Sequence, residues 1–99
     1  MSDFYSFVNS YLDNLYDELD KRYGDHTDIE IQDGVIKITF DDDRQMIINR
    51  HLPNEELWMS SPLSGGSHYR YENNQWINTK TGPTFYEQLM QDLAVICGQ

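Results

Sequence analysis

Apolar residues recur at intervals of three and four along the start of the chain: Phe4, Phe7, Val8, Tyr11, Leu12, Leu15, Tyr16 and Leu19. That spacing gathers them on one stripe of an α-helix, so an amphipathic helix is predicted from about Asp3 to Arg22, with Gly24 ending it. The period then falls to two. Ile29 and Ile31, then Ile36, Ile38 and Phe40, then Met46 and Ile48 form alternating runs bounded by turn residues, the pattern of strands with one buried face. Asp33-Gly34 joins the first two runs as a two-residue hairpin turn, which needs positive φ twice, and Asp41 to Asp43 make the next turn. "ELWMS", "SHYRYE" and "QWINT" continue the series, the last two joined by Asn73-Asn74. Helical spacing returns through Phe85, Leu89, Leu93 and Ile96, with Thr84 and Glu87 placed for a capping box.

A helix, a meander of strands and a closing helix predict an α+β fold: two helices packed on one face of a roughly six-stranded antiparallel sheet, the other face open to solvent. Alternation says which side chains point outward. With Met46 and Ile48 in the core, Ile47, Asn49 and His51 face water; with Leu57 and Met59 inside, Trp58 is exposed; with Tyr69 and Tyr71 inside, His68 and Arg70 are exposed. Trp76 is expected in the core, and Cys97 is expected to pack as a small apolar side chain.

At 99 residues the chain is expected to be a single domain, 1–99. Its formal net charge of −10 would repel phosphates, so nucleic acid and anionic membrane are excluded as partners, and a cation or a basic protein is favoured. The charge is concentrated. Residues 1–43 carry twelve acids against Lys21, Arg22 and Lys37, whereas residues 44–99 carry five acids against four basic side chains. On the helical wheel Asp3, Asp13, Asp17 and Asp20 fall opposite the apolar stripe. Asp13 with Asp17, and Asp17 with Asp20, are like-charge neighbours that each cost about 0.2–0.5 kcal/mol, partly offset by Asp17 with Lys21 and Glu18 with Arg22. A helix that gives up stability in this way is suited to meeting a positive charge. Its exposed carboxylates suit a hard cation held weakly and partly hydrated.

Other chemistries find no support. The glycine of "DIEIQDG" falls one place late for a calcium loop and position twelve is Thr39; His26, His51 and His68 lack zinc-site spacing; and no GxSxG or phosphate-loop motif occurs. One cysteine provides neither a disulfide framework nor a conventional cluster-binding motif. No apolar run is long enough to span a membrane and no import-type leader is read, so the chain is expected to be cytoplasmic, or mitochondrial-matrix in the case of a processed eukaryotic form.

The acidic helix followed by "ITF", "IINRH", "LWMSSPLSGGSHYRY", "WI" and "TGPTFYEQL" resembles the frataxin family, bacterial CyaY-type proteins and their mitochondrial relatives, over essentially the whole length. The resemblance implies two helices on one face of an antiparallel sheet. It also implies an iron-binding accessory protein of iron–sulfur cluster assembly that docks on a cysteine desulfurase and its scaffold partner, with no bound cluster of its own. The family's acidic ridge maps onto Asp13, Asp17, Asp20, Asp25 and Asp28 as iron ligands, extending to Glu30 and Asp3. Its exposed sheet signature maps onto Asn49, His51 and Trp58, with His51 in place of the usual Gln; His68 and Arg70 flank them as further docking groups. A monomer that can oligomerise with iron is implied. Two other readings stand beside it: iron storage with ferroxidase activity, and an acidic adaptor without a physiological metal.

Overall fold

The computed structural model describes residues 3–98. Helix α1 spans Phe4–Tyr23, followed by strands β1 (Asp28–Gln32), β2 (Val35–Thr39), β3 (Gln45–His51), β4 (Glu56–Ser61), β5 (Gly65–Glu72) and β6 (Gln75–Asn78), and helix α2 (Phe85–Ile96). The strands lie in chain order in one antiparallel sheet, β1 to β6, so every connection within it is a local turn. The expected architecture is observed.

Turn chemistry sets the register. Asp33 (φ 50°) and Gly34 (φ 76°) both adopt the left-handed conformation and bring Ile31 opposite Ile36 and Ile29 opposite Ile38. Asn73 (φ 52°) and Asn74 (φ 65°) do the same between β5 and β6, placing Tyr71 opposite Trp76. Gly34 also leaves room for Arg50: a Cβ there would lie 2.1 Å from the Arg50 guanidinium, which would have to move. That guanidinium donates to Asn9 Oδ1 at 2.5 Å and lies over the Tyr5 ring, tying the first hairpin turn to α1.

Both helices cover the same sheet face. Val8, Leu12, Leu15 and Leu19 of α1 and Phe85, Leu89 and Leu93 of α2 meet Ile36, Ile38, Met46, Ile48, Leu57, Met59, Tyr69 and Trp76 in one core. Most of these are fully buried, each contributing about 1.5–3 kcal/mol of transfer free energy. Helix α2 starts at the predicted capping box, Thr84 accepting from the Glu87 amide and Glu87 accepting from the Thr84 amide. Helix α1 ends at Tyr23 with Gly24 as its cap, in a right-handed rather than a left-handed conformation, donating to Asp20 O at 2.9 Å.

Two expectations need correction. Tyr71 points to the helix side but is 40% exposed, because β5 and β6 are the last strands of the sheet and α1 reaches them only with its first turns. Phe7, the α1 residue that meets it at a ring separation of 4.6 Å, is likewise 39% exposed. Trp76 and Cys97 lie as expected, Trp76 buried and Cys97 half-buried against the core with burial pushing its thiol pKa up.

An acidic ridge and a histidine–tryptophan face

Asp13, Asp17 and Asp20 lie exposed along the outer side of α1, Asp25 in the turn that follows it, and Asp28 at the start of the edge strand β1. The ridge therefore runs along the helix and onto the sheet edge. Glu30 is also exposed but is partly neutralised by Lys37, its directly opposed partner on β2, at 3.6 Å. Glu18 is drawn away from the ridge toward α2: it pairs with Arg22 at 3.3 Å and accepts a hydrogen bond from the Tyr86 hydroxyl. Among the described residues no group of three or more His, Cys, Asp or Glu side chains is placed to hold a metal ion. The ridge thus offers separated oxygen donors that fit a hydrated hard cation and do not enclose it.

The open sheet face gathers the other predicted residues on three adjacent strands. Asn49 of β3 opposes Trp58 of β4, and Trp58 opposes His68 of β5. The Trp58 ring is sandwiched: the His51 imidazole stacks on it at 3.9 Å and the His68 imidazole at 4.0 Å, both within 8° of parallel. His51 reaches it from the diagonal position, a separation that long aromatic side chains span on a sheet. Arg70, two residues beyond His68 on the same face, pairs with Glu72 at 3.2 Å.

One member of this site was missed in the sequence. Glu56 is directly opposite both His51 and Arg70, accepts from Trp58 Nε1 at 2.8 Å, and lies 4.0 Å from His68 Nδ1. Its side chain is only 13% exposed, covered by the neighbours it orients. The signal was available in the alternation, since Glu56 is in phase with Trp58, two residues ahead of it on the same strand face. The outcome is a row of three stacked rings whose central indole is fixed by a carboxylate and has hydrogen-bonding groups at its margin.

The model of the frataxin-like domain family matches residues 1–99. This chain belongs to the frataxin-like family. Similar curated relatives, each named an iron–sulfur cluster assembly protein CyaY, come from Vibrio vulnificus and Neisseria meningitidis serogroup B. The first is 35% identical over 98 residues, covering 99% of this chain and 92% of the relative. The second is 33% identical over 98 residues, covering 99% and 90%. Among solved structures, trimeric yeast frataxin complexed with ferrous iron superposes with a TM-score of 0.83 at 26% identity, covering 93% of this chain and 86% of that one. Frataxin from Psychromonas ingrahamii gives 0.77 at 28% identity, covering 96% and 90%. The helix-covered sheet with its open face is therefore the frataxin fold, and the family resemblance seen in the sequence holds over the whole chain. No helix among the described residues is long and apolar enough to cross a membrane.

Proposed function

We propose that this frataxin-like chain is an accessory protein of iron–sulfur cluster assembly. In this reading it binds iron weakly on Asp13, Asp17, Asp20, Asp25 and Asp28, and docks on a cysteine desulfurase and its scaffold through that ridge and the Trp58 face. The observation that carries it is the whole-chain match to relatives named for cluster assembly. Geometry supports the division of labour. The ridge presents charge without enclosure, which suits exchange of a labile ion and attraction of a basic surface. The open face presents a large aromatic already immobilised by its neighbours, so a partner that covers it does not bear the cost of ordering it. The second reading, storage with ferroxidase activity, would require clustered ligands and oligomerisation.

An amide NMR titration with ferrous iron, followed by the desulfurase, separates the two surfaces. Iron is expected to move resonances of the ridge and leave the Trp58 face unmoved, and the desulfurase is expected to move both. The docking assignment fails if Trp58→Ala and a protein with Asp13, Asp17 and Asp20 all changed to Asn bind the desulfurase as tightly as the parent chain.

A further inference from the structure

A third surface lies away from both the ridge and the open sheet face. Where the first turns of α1 pass over the end of the sheet and α2 begins, a groove of about 480 Å³ opens, lined by Phe7, Tyr11, Tyr71, Trp76, Tyr86 and Glu87. Its rings are not spare core. Phe7, Tyr71 and Tyr86 are each about two-fifths exposed, while Trp76 closes the floor beneath them. Edge contacts hold the group rigid: Phe7 meets Tyr71 at 4.6 Å and Tyr71 meets Trp76 at 5.1 Å, both in T-shaped arrangements. Such rings present electron-rich faces to whatever enters.

The charged side chain in the groove's lining is Glu87. Glu87 Oε1 accepts from the Thr84 amide and hydroxyl at the start of α2, and among the described ion pairs none neutralises its charge. Glu18 lies on the same stripe of α1 as Tyr11, shares its charge with Arg22, and holds the Tyr86 hydroxyl at the rim. A purely apolar occupant would remove water from the Glu87 carboxylate and return no charge to it. A cation would return that charge.

We propose that this groove is an aromatic cage for the guanidinium group of an arginine presented by a protein segment. Aromatic faces attract cations, and a guanidinium is planar, weakly hydrated and able to stack on a ring while donating to carboxylates and amides, which an ammonium does less well. Polar acceptors are at hand in Asn14, Asn74 and Gln75, which also line the groove. The inference is independent of iron and of the Trp58 face.

The test uses the capped tripeptide acetyl-Gly-Arg-Gly-amide and its citrulline counterpart, which keeps the shape and loses the charge. Both are titrated into the protein while the Trp76 indole N–H is followed by NMR. The arginine peptide is expected to move Trp76, Phe7 and Tyr71 in a saturable way, and the citrulline peptide to leave them unmoved. Phe7→Leu and Tyr71→Leu keep apolar bulk at exposed positions and remove the π faces, and Glu87→Gln keeps an N3 residue competent for the capping box while removing the charge. Each is expected to weaken arginine binding by about three- to tenfold. Equal shifts from the citrulline peptide would overturn the proposal in favour of plain apolar packing. Shifts confined to Asp13, Asp17 and Asp20 would reduce it to attraction by the ridge. Groove shifts that depend on protein concentration without peptide would assign the groove to a second copy of the chain instead.

Discussion

At the level of single residues, the group with most leverage outside the proposed sites is Asp92. It is 2% exposed, and its Oδ2 accepts from Ser61 Oγ at 2.7 Å and Ser64 Oγ at 2.5 Å while Oδ1 accepts from Gln88 Nε2 at 2.9 Å. Ser61 Oγ in turn accepts from the Leu63 amide, so one carboxylate on α2 holds the turn between β4 and β5. Asp92→Ala would strand buried hydroxyls and is expected to cost about 2–3 kcal/mol in urea unfolding. Asp92→Asn should cost less, since the Asn carbonyl can serve both serines and the Gln88 amide can rotate to accept from its NH2. A residual loss as large as that of the Ala variant would mean that the negative charge matters rather than the acceptor geometry. Nothing in the sequence marks this residue, because a buried acid among hydroxyls looks like any helix acid until the SSP turn is folded against it. Tyr11 yields a pH prediction. Burial, then the Glu18 charge, push its hydroxyl pKa far above the ordinary value of 10, so the unfolded chain releases this proton first as the solution turns alkaline. Its folded pKa being raised, its contribution is intact below pH 10 and is lost above it, at up to about 1.4 kcal/mol per pH unit. Tyr11→Phe is expected to flatten the fall in stability measured between pH 10 and 11, and an unchanged slope would place the ionising group elsewhere.

At the level of elements, α1 serves two demands that pull apart. Its inner stripe is core, while Asp13, Asp17 and Asp20 repel one another along the outside, where among described ion pairs of the helix only Glu18 with Arg22 is formed. Changing all three to Asn leaves helix propensity nearly unaltered and removes two like-charge pairs, so the helix is expected to gain about 0.4–1 kcal/mol. In a thermal melt that is a rise of roughly 2–6 °C, shrinking as salt is added. A fall in melting temperature would show that the acids are structural and not a sacrifice of stability. This is also the level at which the sequence was most legible. Period three to four, then two, then three to four located both helices and the strands because each element buries one face only, and Asp33-Gly34 and Asn73-Asn74 fixed the register because few residues accept positive φ. Legibility failed where burial depends on what lies beyond the element. Tyr71 reads as core by alternation, yet the sheet ends beside it; Glu56 reads only as the first residue of a strand, yet its carboxylate is covered beside Trp58 and His68. The same alternation grouped Asn49, His51, Trp58, His68 and Arg70 on one face, but it could not show that two imidazoles clamp the indole, since that depends on the diagonal reach between β3 and β4.

At the level of the whole molecule, the meander turns sequence order into position. Twelve of the seventeen acids fall in residues 1–43, the part of the chain that supplies α1, the edge strand β1 and its neighbour β2, whereas the Trp58 face lies on β3 to β5 among nearly balanced charge. Trp58 on β4 stands three strands, about 14 Å, from the edge strand β1, farther than the screening length of about 8 Å at physiological salt, so the ridge and the aromatic face act on a partner separately. If the proposed docking on a desulfurase holds, the two surfaces should control different rates. The ridge attracts a basic surface over distance and sets the association rate; Trp58, desolvated only in the final contact, sets the dissociation rate. In stopped-flow binding to the desulfurase, association is expected to slow about tenfold or more between 0.05 and 0.5 M salt. The protein with Asp13, Asp17 and Asp20 changed to Asn should lose most of that dependence while dissociating at the parent rate. Trp58→Ala should retain the salt dependence and dissociate about tenfold faster or more. A Trp58→Ala protein whose defect vanished at high salt, or a ridge variant that dissociated faster with its salt dependence intact, would show that both surfaces meet the partner as one contact, and the separation of roles across the sheet would have to be given up.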